Sequence, residues 1–236
     1  MSPMSRAFVF ALLGLVPACD TVTPGSMVPL APPQAWRAGL EAHRERKDQY
    51  FRQSPDSPLV AADIASFAGL PYWEPDARYY FVGPIHVYPD KSRFDIVTTA
   101  GNSRPCEKFG WIEFPVGGRP QRLEVYRLLD LDLGWTLEAL LIPFEDGTTG
   151  TETYPAGRYV DLEGPPGEIV VGPGPDGRLR AAGPYVLDFN RAFNPSCAYG
   201  APERFACPVT PRDNRMNVRI EAGERGFRAP AGLAGA

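Results

Sequence analysis

Hydrophobic and polar positions follow a helical period near the start of the chain. Behind Pro32-Pro33, bulky side chains recur every three or four residues, and this stripe comprises Trp36, Leu40, His43, Lys47, Tyr50 and Phe51. The opposite face is charged, which is typical of the exposed side of an amphipathic helix. A second, shorter helix is predicted from Pro58 to Phe67, because Ser57-Pro58 is a favourable helix start and Gly69 a favourable stop.

After Tyr72 the period changes to two, which indicates β-strands. The predicted strands are 78–88 (interrupted by Gly83-Pro84), 110–116, 122–128, 136–143, 158–162, 168–171, 185–190 and 217–221, and Phe94, Ile96 and Thr98 also alternate. Gly117-Gly118-Arg119-Pro120 predicts a hairpin connection. Segment 136–143 is apolar on both faces and is expected to be central, and 172–183 is expected to be a flexible excursion. The sequence therefore predicts a mainly β fold, an antiparallel β-sandwich or barrel-like meander with two N-terminal helices. It would form one domain over 36–224, followed by a flexible tail at 225–236.

The first eighteen residues have the features of an export signal. Arg6 precedes ten apolar residues, and the small Ala18 stands directly before Cys19. This pattern favours a lipoprotein signal peptide at 1–18, with Cys19 as the lipidated residue and 19–35 as a proline-rich tether. An ordinary secretory signal with a chance cysteine is the alternative. The lipoprotein interpretation predicts a membrane contact through the lipid anchor, on the periplasmic or extracellular side of a bacterial cell envelope.

Composition narrows the choice of partners. The formal charge is −4 and there is no basic stripe, so nucleic acid is not expected as a partner. An oxidising compartment would allow a disulfide, and Cys197 and Cys207 are the predicted pair, which leaves Cys106 alone. The chain has no C-x-x-C motif, and its two histidines lie far from these cysteines. We therefore expect no metal site and no cofactor.

Two segments are dense in polar and aromatic residues. The first contains PFEDGTTGTETY followed by GRY, at 143–159; the second contains LDFNRAFNPSCAY at 187–199, followed by CP at 207–208 and IEAGE at 220–224. Together they resemble the domain-of-unknown-function family 1684, whose pattern is approximately PF-D-T-G-ETY-GRY, LDFN-A-Y-NP-CAY, CP and I-AGE. The resemblance covers about 36–224. Phe193 departs from it, because the family usually has tyrosine there, and Asp213 replaces glutamate. The resemblance implies a set of residues and no mechanism.

The first segment allows two interpretations. Asp, Gly and Thr satisfy their own backbone groups in turns, so 146–152 is interpreted first as a capped loop between strands. Alternatively, it is a rim loop that presents Asp146, Thr148, Glu152 and Tyr154 to a ligand. Arg158 opens a strand and would either pair with Asp188 or Glu152 across two loops, or bind an anion in a cleft.

The second segment places Asp188 and Asn190 on one face of a strand, and Asn194 at a turn. That face would line a cavity if it points inward. Carboxylates and amides at Asp146, Glu152, Asp188 and Asn190 are also the ligands of Ca²⁺, but the spacing of a calcium loop is absent.

Three functions remain open. In the first, the protein is a small-ligand-binding or scaffolding module of the cell envelope. Its unknown small ligand or envelope protein would contact the following candidates: Asp146, Thr148, Glu152, Tyr154, Arg158, Asp188, Asn190 and Asn194. In the second, Glu152 and Asp188 are the paired carboxylates of a hydrolase. In the third, the motifs hold loops together in a purely structural envelope protein. Whether the protein is an enzyme stays open.

Overall fold

The structure, a computed structural model, describes residues 25–200 and 204–227. Helix α1 spans Trp36–Gln53 and the single turn α2 spans Ala61–Ile64. The strands in this part of the chain are β1 (Val28–Pro29), β2 (Tyr80–Gly83), β3 (His86–Val87), β4 (Arg93–Val97), β5 (Ser103–Val116), β6 (Arg119–Leu128), β7 (Leu140–Leu141), β8 (Pro143–Phe144), β9 (Arg158–Tyr159), β10 (Leu162–Glu163), β11 (Val171–Pro173), β12 (Leu179–Ala181) and β13 (Tyr185–Asp188). Short 3₁₀ turns that lie wholly within the described ranges are Ala77–Tyr79, Leu137–Ala139, Phe189–Arg191, Ser196–Tyr199 and Arg212–Asn214.

Two antiparallel sheets form the body of the protein. The first has the order β1-β2-β13-β10. The second has the order β11-β12-β3-β5-β6-β7, with β4 also paired to β5, and β8-β9 form a small ribbon. Both large sheets contribute to one apolar cluster, including Phe81 and Leu187 from the first and Phe114 and Leu123 from the second. The predicted mainly β, sandwich-like architecture with N-terminal helices is confirmed.

The long hairpin β5–β6 is the backbone of the second sheet. Its two-residue turn, Gly117-Gly118, has positive φ at both positions (66° and 72°), which only glycine adopts without strain. The strands pair from Val116–Arg119 to Cys106–Leu128 with one bulge near Gly110. A side chain at Gly110 would lie 1.9 Å from the carbonyl oxygen of His86, so the approach of β3 requires glycine there.

Helix α1 lies over the end of the first sheet. Most of the predicted stripe is packed: Leu40 and Phe51 are buried, and Trp36 donates a hydrogen bond to Asp188 at the end of β13. Tyr50, at the end of the stripe, is 47% exposed. Phe51 joins a second apolar cluster with Leu59, Phe67, Leu70, Ala198 and Tyr199. The helix therefore covers the 188–199 segment, where many of the predicted polar residues lie.

Several predicted elements are wrong in extent. The second helix is only Ala61–Ile64, and 172–183 is not an excursion but contains the β11–β12 hairpin. Segment 136–143 is not a central strand: it divides into a 3₁₀ turn, the edge strand β7 and the start of β8. Segment 217–221 is not a strand: the backbone groups of Ile220 bind the side chains of Arg158 and Asp146 instead of a neighbouring strand.

Parts of the segments assigned to the tether and the tail are packed against the body where the structure describes them. Met27 is fully buried and β1 pairs with β2, so the chain joins the sheet well before residue 36. At the other end, Arg225 and Gly226 donate backbone hydrogen bonds to Pro71 and Glu152. The leader, Cys19 and the tail beyond 227 lie outside the described residues. Within the described part, none of the helices has the length and hydropathy needed to cross a membrane.

Candidate functional site

Arg158 is the centre of the predicted polar site, and it is completely buried. Its Nη1 donates to the carbonyl oxygens of Ala222 (2.5 Å) and Glu224 (3.1 Å), and its Nη2 to that of Ile220 (2.8 Å) and to Asp146 Oδ1 (3.5 Å). The guanidinium carbon lies 5.1 Å from the ring centre of Trp73 and 5.0 Å from that of Phe144. Arg158 therefore joins the β8–β9 ribbon to the 220–224 segment.

Asp146 and Thr148 fold the loop after β8 onto the same segment. Asp146 Oδ2 accepts from the backbone N–H of Ile220 at 2.6 Å, while its Oδ1 accepts from the hydroxyl of Thr148 at 2.8 Å. Both residues are buried, with 6% and 0% exposure. These contacts are those of a loop capped by its own side chains, which is the first of the two interpretations considered for 146–152.

The side chains of Glu152 and Tyr154, at the end of this loop, contact different parts of the protein. The carboxylate of Glu152 is one-third exposed and forms an ion pair with Arg219. The hydroxyl of Tyr154 donates a hydrogen bond to the sulfur of Cys197. Only Tyr154 thus reaches a chemically reactive neighbour.

Asp188 and Asn190 lie beneath helix α1. Trp36 Nε1 donates to Asp188 Oδ2 at 2.7 Å, and Asn190 Nδ2 donates to Asp188 Oδ1 at 2.8 Å. The amide of Asn190 also pairs with the backbone of Asp76 on both sides, accepting at 2.8 Å and donating at 2.9 Å. These contacts tie α1 to the 3₁₀ turn that follows β13.

Asn194 belongs to a third cluster, built around the buried carboxylate of Glu224. The backbone N–H of Asn194 (3.0 Å), its Nδ2 (3.3 Å) and the hydroxyl of Tyr199 all donate to Glu224 Oε2. Lys47 from α1 forms an ion pair with Oε1 and lies 4.9 Å above the ring of Phe193. Burial and the Glu224 carboxylate raise the pKa of Tyr199 well above its ordinary value, so Tyr199 stays a donor.

The structure thus joins Asp146, Thr148 and Arg158 to the backbone of 220–224, and Asn194 to Glu224 in the same segment. Asp188 and Asn190 are engaged separately under α1. Glu152 and Asp188 have different partners, so no contact supports them as a catalytic pair. Because internal partners account for these side chains, their predicted role in ligand binding stays a prediction.

Asp161 was not predicted from the sequence, yet it is a carboxylate with a raised pKa on the wall of a cleft. It follows β9, and alternation with the buried Val160 and Leu162 turns it outward. It lines a cleft of about 590 Å³, together with Leu137, Glu138, Leu140 and the 162–167 segment. Desolvation by the surrounding protein raises the pKa of its carboxyl group, against a smaller opposing effect of Lys47. The residue as a whole is nevertheless exposed, so solvent and ligands reach it. Both observations fit a group on the wall of a concave surface.

Cys197 and Cys207 lie side by side as free thiols, so the predicted disulfide stays a prediction. The backbone N–H of Cys197 donates to Cys207 Sγ at 3.3 Å, and the two sulfurs share a hydrogen bond. This bond from Cys207, with further ones from Thr99 and Tyr154, holds the pKa of Cys197 below its ordinary value. By contrast, burial raises the pKa of Cys106 to about 12.

Fold and contacts together define a sandwich-like β-protein in which the polar motifs bind the 220–224 segment of the same chain. The chain belongs to the family described as "Protein of unknown function (DUF1684)", whose pattern matches residues 65–225. It is similar to the solution NMR structure of an uncharacterized protein of Haloarcula marismortui, at 30% sequence identity and a TM-score of 0.58. That similarity covers 81% of this chain and 95% of the other. A search of curated proteins found no match.

Proposed function

We propose that this protein binds a small cationic ligand in the cleft around Asp161, as a lipid-tethered module of the cell envelope. The observation that supports the ligand is Asp161 itself: an accessible carboxylate with a raised pKa on the wall of a cleft of about 590 Å³. That volume is within the usual range of small-molecule sites. A titratable group perturbed by its surroundings in a cleft is a physical marker of a binding or active site.

The charges around Asp161 leave its carboxylate without a direct counterion. Glu163, in the same cleft, is neutralised by Arg191, whose Nε lies 2.7 Å from its Oε1. Glu138 accepts hydrogen bonds from its own backbone N–H and from Thr136, which lower its pKa. Among the described residues Asp161 forms no hydrogen bond or ion pair, and Lys47 acts on it only at longer range. A bound cation would supply the missing partner.

The other walls of the cleft suggest the rest of the ligand. Leu137, Leu140 and Leu162 contribute apolar surface, and Pro165-Pro166 close one side. An ammonium group carried on a short apolar body would pair with Asp161 and bury carbon against these side chains. An anionic ligand would meet three carboxylates and is disfavoured.

A thermal-shift and calorimetric screen tests the binding proposal. The panel pairs short primary and cyclic amines with the carboxylic acids of the same carbon skeleton. We expect an amine to raise the melting temperature of the wild type and of Glu138→Gln, which changes a rim carboxylate of the same cleft, but not of Asp161→Asn. Binding should weaken as the pH falls through the raised pKa of Asp161. Equal binding to Asp161→Asn, or a preference for the acids, would refute the proposal.

The cellular location is proposed from the sequence and needs its own test. If Cys19 carries acyl chains, cells grown with an alkyne fatty acid should label the wild-type protein and not Cys19→Ala. The labelled protein should also be recovered in the membrane fraction. If the wild-type protein stays unlabelled and soluble, the proposed lipid tether is refuted, whereas the proposed ligand site at Asp161 is unaffected.

A further inference from the structure

The thiols of Cys197 and Cys207 stand at the junction of three segments. Cys197 lies in the Ser196–Tyr199 turn, which also supplies Tyr199 to the Glu224 cluster. Cys207 is held against the loop after β4: its N–H donates to Thr99 Oγ1 at 3.2 Å, and its carbonyl accepts from Thr99 N–H at 2.9 Å. A covalent bond between the sulfurs would therefore join the turn beside Tyr199 to the β4–β5 loop.

We propose that Cys197 and Cys207 form a reversible dithiol–disulfide site that reacts with disulfides of low-molecular-weight thiols. Two independent kinds of observation support it. The first is geometric: the backbone N–H of Cys197 donates to Cys207 Sγ at 3.3 Å, which places that sulfur directly beside the turn that holds Cys197. The second is the set of donors around Cys197, from Cys207, Thr99 and Tyr154, which stabilise a thiolate without a neighbouring imidazole.

The third thiol provides an internal contrast. Cys106 lies in β5 with no exposed surface, and burial raises its pKa to about 12. Cys197 and Cys207 keep 4% and 8% exposure. Thiolate character and access both favour the pair, so the chemistry should be selective within one molecule.

The reaction proceeds by two thiol exchanges. The Cys197 thiolate attacks one sulfur of the external disulfide, forms a mixed disulfide and releases one thiolate. Cys207 loses its proton and attacks the Cys197 sulfur, which closes the protein disulfide and releases the second thiolate. The protein gives up two electrons and two protons, and the external disulfide is reduced to two thiols. Reduced thiol in excess reverses both steps.

The test uses the full chain with oxidised glutathione as the probe. After acid quenching, we expect the intact mass to be lower by two hydrogens. Alkylation of the quenched protein should then give a 197–207 linked peptide without alkyl groups, while Cys106 is alkylated. Excess reduced glutathione should restore the dithiol. Failure of the linkage to form in excess oxidised glutathione would refute the proposal. A linkage that forms but resists excess reduced glutathione would also overturn it, since that is a permanent cross-link.

Variants locate the reactive sulfur. In Cys207→Ser the second step is blocked, so one glutathione should remain attached at Cys197. In the wild type, iodoacetamide at neutral pH should modify Cys197 at least about tenfold faster than Cys106, as thiolate fraction dictates. Tyr154→Phe should slow the modification of Cys197 and leave that of Cys106 unchanged. Modification of Cys106 at the same rate as Cys197 would contradict the assignment, and this comparison needs no variant to fold.

Discussion

Replacing Arg158 with methionine should remove a large part of the free energy of unfolding. The change leaves three buried carbonyl oxygens, of Ile220, Ala222 and Glu224, without their donor. Each such loss costs about 1–3 kcal/mol. Asp146 loses its buried counterion but keeps hydrogen bonds from Ile220 and Thr148. Breaking this ion pair should therefore cost about 3 kcal/mol of stability, the lower end of the range for buried pairs.

Part of this loss is offset, because the variant no longer desolvates a guanidinium and methionine can fill the slot between Trp73 and Phe144. We therefore expect a net loss of about 5 kcal/mol, compared with a typical total stability of about 5–15 kcal/mol. Arg158→Lys keeps the charge and one donor position but lacks the planar fork, so about half of that loss is expected.

Urea unfolding followed by tryptophan fluorescence measures both variants, and Trp73 reports directly on the slot. Arg178→Met is the matched control, because Arg178 is 67% exposed and pairs with Asp176 only at 3.9 Å. Its effect should stay below about 0.5 kcal/mol. A loss under about 1 kcal/mol for Arg158→Met, or an equal loss in the control, would refute the reasoning. If Arg158→Met does not fold, the loss of unfolding free energy measured for Arg158→Lys tests the prediction instead.

Three further outcomes follow from single contacts. Asp161→Asn should raise the free energy of unfolding at neutral pH by less than about 1 kcal/mol, because the raised pKa of this accessible carboxyl group means that its ionised form is disfavoured in the folded protein. In urea titrations the gain should vanish below the ordinary pKa of 3.8, where the carboxyl group is protonated in both the folded and the unfolded protein. A gain that persists at that pH would contradict the explanation. Lys47→Met should lower the free energy of unfolding, measured by chemical denaturation, by about 3 kcal/mol, because it leaves the Glu224 carboxylate buried without its cation. Lys108→Met, which removes a more exposed ion pair, is the control, and an equally small loss in both variants would refute the prediction. Gly39→Ala should stabilise the protein by up to about 1 kcal/mol in thermal unfolding, because an added methyl group on α1 meets nothing within 4 Å; a lower melting temperature would contradict this.

Elements with strong local signals could be predicted from the sequence. Helix α1 has a stripe of 3.6-residue period behind two prolines, and the β5–β6 hairpin has a Gly-Gly turn between two alternating runs. Most of the other strands span only two or three residues, which is too short for a period to be recognised. Segment 136–143 was wrongly predicted to be a central strand because it is apolar on both faces. Its side chains, such as Ala139 and Ile142, are buried by packing, but the segment does not pair with a strand on each side.

The candidate site was only partly predictable for a related reason. The sequence marked Arg158 as a residue that joins segments, but offered Asp188 or Glu152 as partners. Its main partners are backbone carbonyls, which have no sequence signature. Asp161 carries no motif either, because its importance comes from the concave surface around it and from the lack of a nearby partner.

The dependence of Arg158 on residues 220–224 has a consequence for biosynthesis. Its three carbonyl partners follow it by 62, 64 and 66 positions. At a translation rate of about 5–20 residues per second, the ribosome needs about 3–13 s to deliver them. During that interval the guanidinium of Arg158 lacks these three acceptors, so the structure around it can form only after residues 220–224 have been made. A ribosome stalled before codon 220 would therefore leave an intermediate that chaperones recognise and proteases degrade.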